Sequence, residues 1–370
     1  MPRRACAGGA RLPWDEPMVL LKKFPADFVV SESLALTTTA PGSEGARYHY
    51  VRLRKCGFTT FEAIEAISAF CGVEARDIDY AGLKDEDGVT DQLLALTSPS
   101  PLTRDRIEHF NAVHGAGEYQ QGAPPFLTLQ HHGHGAVRLG VGELDGNSFH
   151  IVVRHLDRAQ AERLDGIRGR RSLYFVNYYD TQRFGVPGGP RTTHLIGKAL
   201  LDGDHDRALG LVAGSASPEA AAARRFTGPA AGFFGSLDQR RVAFFLSAHA
   251  SGEWNRQVEE LVRACCRDAM VSDVRDGITY LFPTTATGVL AVLRDGLGLK
   301  YDSWCWKEGR LTSRPSSRPV AVQTQVRVGD VTEDESAPEA WRCTLRFFLS
   351  SGSYGTTAVR QFFHQLRVAT

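Results

Sequence analysis

The stretch "YAGLKDEDGVTDQLLAL", residues 80–96, decides how this chain is read. "IDYAGLKD" (78–85) reads as a short strand that runs into a glycine- and acid-rich turn, and "QLLALTS" follows as a second, apolar strand. Gly82 and Gly88 bracket Lys84, Asp85, Glu86 and Asp87, so a reversal between two strands is the expectation. Loops held by a rigid sheet often carry catalytic groups, and Asp85 sits in such a place. Turn punctuation and chemistry leave the same local pattern, so the rest of the chain has to separate them.

Upstream, "FPADFVVSE" (24–32) alternates around Phe28 and Val30 and reads as a strand ending near Glu32. "RYHYVRLRKCG" (47–57) alternates as well, with Tyr48, Tyr50, Arg52 and Arg54 on one face and His49, Val51, Leu53 and Lys55 on the other. Thr59 and Glu62 form a capping box for a helix whose stripe is Phe61, Ile64, Ile67 and Phe70, with Gly72 as its stop. Downstream, "AVRLGVGELDGNSFHIVVRHL" (136–156) reads as two strands joined near Gly146-Asn147. From about 190 to 310 alanine-rich helical patterns dominate. Alternation returns in "VAVQTQVRVGD" and "WRCTLRFFLSSGSYG", separated by the acidic loop "TEDESAPEA". "TTAVRQFFHQL" closes the chain as a helix with Val359, Phe362, Phe363 and Leu366 inward. Strand-rich, helical and strand-rich again describes an α+β domain with a helical insertion.

Composition sets the bounds. At 370 residues, 42% hydrophobic and 23% charged, the chain is globular and long enough for two domains. No apolar run spans a bilayer, and "MPRRACAGGARLPWDEP" lacks the apolar centre of a secretory signal, so a cytoplasmic chain without membrane contact is expected. Seven scattered cysteines form no Cys-x-x-Cys pair, which fits a reducing compartment. His131, His132 and His134 lack an acidic or cysteine partner at ligand spacing and read as an exposed loop entering a strand, so no metal is expected. A net charge of +1 confines any nucleic-acid affinity to local patches. "RLDGIRGRR" (163–171) and "RLTSRPSSRP" (310–319) are the candidates, with Arg163, Arg168, Arg170 and Arg171 in the first. No P-loop or dinucleotide fingerprint is found.

Several of these stretches together resemble the TruD family of pseudouridine synthases. "YAGLKDEDGVTDQ" is similar to the family's Gly-x-Lys-Asp motif ending in Thr-x-Gln, with Gly82, Lys84, Asp85, Thr90 and Gln92 on the matching positions. "DFVVSE" resembles its N-terminal strand ending in Glu, "GELDGNSFHIVVR" its Gly-Asn-x-Phe segment, and "VNYYDTQRFG" its Asn-Tyr-x-x-x-Gln-Arg-Phe-Gly segment. "SGSYGTTAVRQ" resembles its closing Gly-Ser-aromatic-x-Thr motif. The departures are Glu86 for a basic residue, Gly88 for Ala, Tyr179-Asp180 for an aromatic-Gly pair, and Gly355 and Gln361 for Ala and Glu.

The resemblance implies an α+β fold: a pseudouridine-synthase-type catalytic domain with a mixed, largely antiparallel sheet, interrupted by a mostly helical TruD-type insertion domain. The expected parts are 1–160, 161–312 and 313–370. It implies isomerisation of uridine to pseudouridine in transfer RNA, uridine 13 being the first target to test. Asp85 would be the catalytic carboxylate, adding to C6 of uracil or acting at C1′. Phe149 would stack on the flipped base, Asn147 would fix the loop or bond near the base, and Tyr354 would wall the other side. Gln182 and Arg183 would be supports or RNA contacts. Lys84 would neighbour Asp85, though side chains adjacent in an extended segment point apart, so Arg183, Lys22 and Lys23 compete as the cation that keeps Asp85 ionised. Glu86 would raise the Asp85 pKa unless it turns to solvent. Glu32 would orient a basic residue or simply end its strand. The reaction exchanges no electrons and releases no group, so no cofactor is expected, and the protein is expected to be a monomer with RNA as its partner. Two rivals are an RNA-binding protein of the same fold with impaired catalysis, and an N-glycosidic hydrolase, which needs a second acid–base group.

Overall fold

The computed structural model describes residues 20–97, 102–115, 117–122, 125–140, 142–186, 188–307 and 310–368. The N-terminal stretch 1–17 read above lies outside them. In chain order the elements are β1 (Phe28–Ser33), β2 (Tyr48–Cys56), α1 (Thr60–Cys71), β3 (Ile78–Tyr80), β4 (Val89–Leu96), α2 (Arg104–His114), β5 (Phe126–Gly135), β6 (Gly146–Leu156), α3 (Arg158–Gly166) and β7 (Gly169–Val176). There follow α4 (Thr193–Leu201), α5 (His205–Ala213), α6 (Ala220–Arg225), α7 (Ala230–Ser236), α8 (Gln239–Cys266), β8 (Met270–Arg275), β9 (Ile278–Pro283), α9 (Ala286–Asp295), β10 (Lys300–Lys307) and β11 (Arg310–Ser317). The chain ends with β12 (Ala321–Glu333), β13 (Trp341–Ser350) and α10 (Gly355–Val368). Two compact units result, one of residues 1–171 with 325–351, the other of 172–324 with 352–370.

The first unit is organised by a nine-stranded mixed sheet in the order β5-β2-β4-β1-β6-β13-β12-β7, with β3 added on β4. β1 runs parallel to β4 and antiparallel to β6, so the centre of the sheet joins the two halves of the unit. The alternation in residues 48–56 works as read. Val51 and Leu53 go under α1 and α2 into a core with Ile64, Ile67, Leu94, Phe110 and Leu127, while Tyr50 is buried on the other face. Thr59 and Glu62 make the capping box, and Gly72 ends α1 at φ +68°.

Several local readings are corrected. Phe61 is 53% exposed and lies edge-on to Tyr80; the buried seam of α1 is Ala63, Ile64, Ile67 and Cys71, because three steps of three residues drift off the face. The three histidines lie within β5 itself rather than in a loop; His134 pairs with His49 and His131 with Val51 of β2, and His132 falls at the register shift between them. Residues 136–140 form no strand, so only the second half of 136–156 pairs, as β6. In the acidic loop, Asp334 is buried and holds Arg154, which also binds Asp27 at 2.9 Å.

The second unit is helical through Cys266, with Trp254 fully buried among Tyr178, Tyr280 and Phe282. Beyond it lie two hairpins that the helical reading of 190–310 missed. The first is signalled by Asp276-Gly277, both at positive φ (49° and 78°), the two-residue turn that a right-twisted hairpin needs. Among the described residues no helix is long and apolar enough to cross a membrane, and no group of His, Cys, Asp and Glu is arranged to hold a metal ion.

Candidate active site

The loop between β3 and β4 is fixed by its backbone. Gln92 Nε2 donates to Gly82 O at 3.2 Å, and Thr60 Oγ1 accepts from Lys84 N at 3.0 Å while donating to Gln92 Oε1 at 3.1 Å. Gly57 N donates to Glu86 O at 3.0 Å. Beneath them Lys55, fully buried at the end of the apolar face of β2, donates through Nζ to the carbonyls of Asp85 (2.7 Å), Phe58 (2.8 Å) and Lys84 (3.1 Å). Four partners, Lys55 of β2, Gly57 just after it, Thr60 of α1 and Gln92 of β4, thus hold one turn by its backbone. Gly88 permits the close approach to β1, since a Cβ there would lie 2.6 Å from Phe28 O.

With its backbone held, the loop projects Asp85. Its side chain is 29% exposed, and Oδ2 accepts from Lys22 Nζ at 2.7 Å. The same ammonium reaches Asp87 Oδ1 at 2.8 Å and lies 4.2 Å from the centre of the Phe28 ring. Burial works to lower the Lys22 pKa, but Asp85 and Asp87 outweigh it and raise the group above the ordinary lysine range. Lys22 adopts φ +61°, a left-handed conformation that costs a non-glycine residue about 1 kcal/mol or more. Its ammonium is therefore placed at a backbone cost.

Of the three rival cations, Lys22 takes the contact. Lys23 turns instead to Ser336 O at 2.9 Å. Lys84 points away, as strand alternation requires, and pairs with Glu32 at 2.6 Å with both side chains almost fully buried. Glu32 also accepts from Leu93 N at 3.1 Å, so it orients a lysine from the penultimate position of β1. Glu86 is exposed and has turned to solvent.

Phe149 lies opposite Val30 on the face that carries Phe28 and Glu32. It stacks on Phe347 with centroids 5.2 Å apart and meets the edge of Phe28 at 6.1 Å, leaving 8% of its surface exposed. Asn147 is opposite Glu32, and its Oδ1 is buried with no hydrogen-bond partner. Lys22, Glu32, Lys84, Asp85, Asn147 and Phe149 all belong to the first unit.

Tyr354, Arg183 and Gln182 lie in the second unit. Arg183 donates to Ser247 Oγ at 2.7 Å and Ser251 Oγ at 3.2 Å. Tyr354 meets Tyr179 edge-on at 6.0 Å, and Arg318 lies 3.8 Å over the Tyr179 ring. Gln182 is half-buried in the single turn Thr181–Phe184. The unusual Asp180 is absorbed locally, capping Thr181 N at 2.8 Å and accepting from the Thr356 hydroxyl. Sequence reasoning missed Lys55. Its signal was a lysine completing an otherwise apolar strand face, Val51-Leu53-Lys55.

The sheet and loop define a mixed α/β protein whose site centres on one ion-paired carboxylate beside an aromatic cluster. The family model for tRNA pseudouridine synthase D (TruD) matches residues 17–228, more than half of the chain, and the chain belongs to this family. Relatives include the tRNA pseudouridine synthase D of Actinobacillus succinogenes, 32% identical over 179 residues (47% of this chain, 46% of the relative), and that of Geobacter sulfurreducens, 32% over 200 residues (53% and 43%). These alignments span about half the length of those relatives. That of Mannheimia succiniciproducens aligns at 26% over 92% of this chain and 93% of its own. A solved Methanosarcina mazei chain assigned to the same family covers 94% of this chain at 20% identity, with a TM-score of 0.48.

Proposed function

We propose that the protein is a transfer-RNA pseudouridine synthase acting at uridine 13, with Asp85 as its catalytic carboxylate. The reaction breaks the N1–C1′ bond of uridine, turns the uracil and joins C5 to C1′. The C5 proton leaves and N1 takes one up, so the balance closes without a redox partner or a cofactor. The observation that carries the reading is the Asp85 carboxylate, paired with Lys22 at 2.7 Å, partly open, and mounted on a loop anchored by buried Lys55. An ionised carboxylate so held can add through oxygen to C6 of uracil or act at C1′.

A uridine must leave its stack to reach such a group, and the strip of Phe28, Phe149 and Phe347 offers an apolar wall beside it. Asn147, with a buried acceptor that lacks a partner, would take a donor from the base or the loop around it. Lys84 and Glu32 would brace the loop. Tyr354, Arg183 and Gln182 would contact RNA or support the second unit, and the arginines of 163–171 would bind phosphate. The protein would work as a cytoplasmic monomer. Glu86 and the altered loops motivate the rival reading of an impaired RNA binder, and the exposure of Glu86 favours the enzyme.

The test is release of tritium from transfer RNA labelled at C5 of its uridines. Wild-type protein should release it stoichiometrically with one site per transfer RNA, and Asp85→Asn should release none. Release by Asp85→Asn at the wild-type rate would overturn the assignment.

A further inference from the structure

Strand alternation gives the sheet a second surface, facing away from Glu32, Phe149 and the loop of Asp85. On it one row runs directly across four strands, Arg327 (β12), Arg346 (β13), His150 (β6) and Val29 (β1). The next row holds Phe348, Ser148 and Ser31. Arg327 and Arg346 are exposed and directly opposite each other, an arrangement in which like charges destabilise a sheet. Neither they nor Arg170 make a hydrogen bond or ion pair among the described residues. All three arginines line a depression of about 460 Å³ with His150, Ser148 and Gln325, and none of the described residues lining it is acidic. A second depression of about 380 Å³ shares Arg327 and Arg346, so the groove continues along β12 and β13 past a single binding position. Phe348, 43% exposed, lies two residues from Arg346 on the same face, its ring over Gly146, where a Cβ would come within 2.5 Å of it.

An extended groove with three uncompensated arginines, whose lining carboxylate, Asp330, is already paired with Arg168, fits a polyanion, and the aromatic ring beside them selects among polyanions. A free phosphate uses the cations alone, whereas single-stranded RNA uses both, phosphates on arginine and a base on the ring, along the length of the groove. We propose that this sheet face binds a single-stranded segment of RNA, with phosphates on Arg170, Arg327 and Arg346 and a base on Phe348. The inference rests on the reading of the protein as an RNA-modifying enzyme and adds a contact surface on the side of the sheet away from Asp85.

The experiment is fluorescence anisotropy of a labelled oligouridylate of about ten nucleotides with the full-length chain, titrated across a range of salt concentrations. Arg327→Gln/Arg346→Gln should weaken binding about tenfold or more and flatten the plot of log affinity against log salt by roughly 0.7 per lost phosphate contact. Phe348→Ala should weaken binding several-fold and leave that slope unchanged; Phe348→Leu, which keeps the apolar bulk, should behave the same way and controls for folding. Unchanged affinity and slope in the double-arginine variant would overturn the proposal. So would loss of inorganic phosphate binding without loss of oligouridylate binding, or a change in sedimentation alone, which would mark a contact between copies. Tritium release by wild-type protein runs in parallel. Activity with unaltered binding in the variants sinks this face alone, whereas no activity with binding lost in the variants sinks the enzymatic reading and leaves the face standing.

Discussion

Lys55 Nζ donates to the backbone carbonyl of Asp85 at 2.7 Å, so a buried lysine holds the main chain of the residue whose side chain faces the site. Two more carbonyls, of Phe58 and Lys84, take its remaining protons. One ammonium group thus does what a helix cap does elsewhere, satisfying several backbone groups at once. Lys55→Met should leave all three carbonyls buried and unpaired, at a cost of about 2–4 kcal/mol. Chemical denaturation should show that loss, and isomerisation should fall further than stability explains, since the loop also aims Asp85. Denaturation matching wild type would contradict the anchoring role.

The same lysine predicts a pH dependence. Burial pulls its pKa down to about 8 against an ordinary 10.5, opposed in part by Asp85 and Glu86 and reinforced by Lys84. Between those values the unfolded chain binds more protons than the folded one, so this group makes folding more favourable as pH rises through that window. The deprotonated amine has only two N–H donors for three carbonyls, however, and the loop loses a contact. Activity should therefore decline with a midpoint near pH 8 while stability does not fall with it. A rate profile beside thermal melts at each pH checks this; a parallel fall of both would contradict it. Lys22 behaves in the opposite sense. Its raised pKa means that its contribution is present below the ordinary lysine value and is lost only at higher, more alkaline pH.

Lys22→Gly separates charge from backbone. Glycine accepts φ +61° without strain, which offsets part of the stability lost with the two ion pairs, while Asp85 loses the cation 2.7 Å away. The rate constant for isomerisation should drop about tenfold to a hundredfold. Single-turnover kinetics with saturating RNA measure it, and an unchanged rate would remove Lys22 from the site.

Glu32 and Lys84 form a buried pair, and removing one member strands the other. Lys84→Met should destabilise the protein by about 3–5 kcal/mol, and Glu32→Gln/Lys84→Met should recover much of the loss. Urea titration of the single and double variants reads the coupling. Additive effects would mean that the pair does not act as a unit.

Much of this is legible in the sequence. The alternation of residues 48–56 and 28–33 sorted two strand faces correctly, because period two leaves no freedom once Val51 and Leu53, or Phe28 and Val30, turn inward. Thr59, Glu62 and Gly72 fixed both ends of α1 by local hydrogen bonding alone. Long-range pairing was harder to see. β5 carries three histidines and two glycines at its end and shows no apolar period, so it forms only because β2 lies alongside. The loop-anchoring role of Lys55 left no local signal, since the loop that needs it lies 29 and 30 residues away in sequence. The choice of Lys22 over Lys23 turned on a left-handed backbone angle, which no spacing rule encodes.

The most direct test of the central claim is pseudouridine mapping on host transfer RNA from cells with the gene, without it, and carrying Asp85→Asn. Uridine 13 should lose its modification in the deletion, regain it with the wild-type gene, and stay unmodified with Asp85→Asn. Restoration by Asp85→Asn, or a deletion that leaves every transfer-RNA pseudouridine in place, would contradict the account.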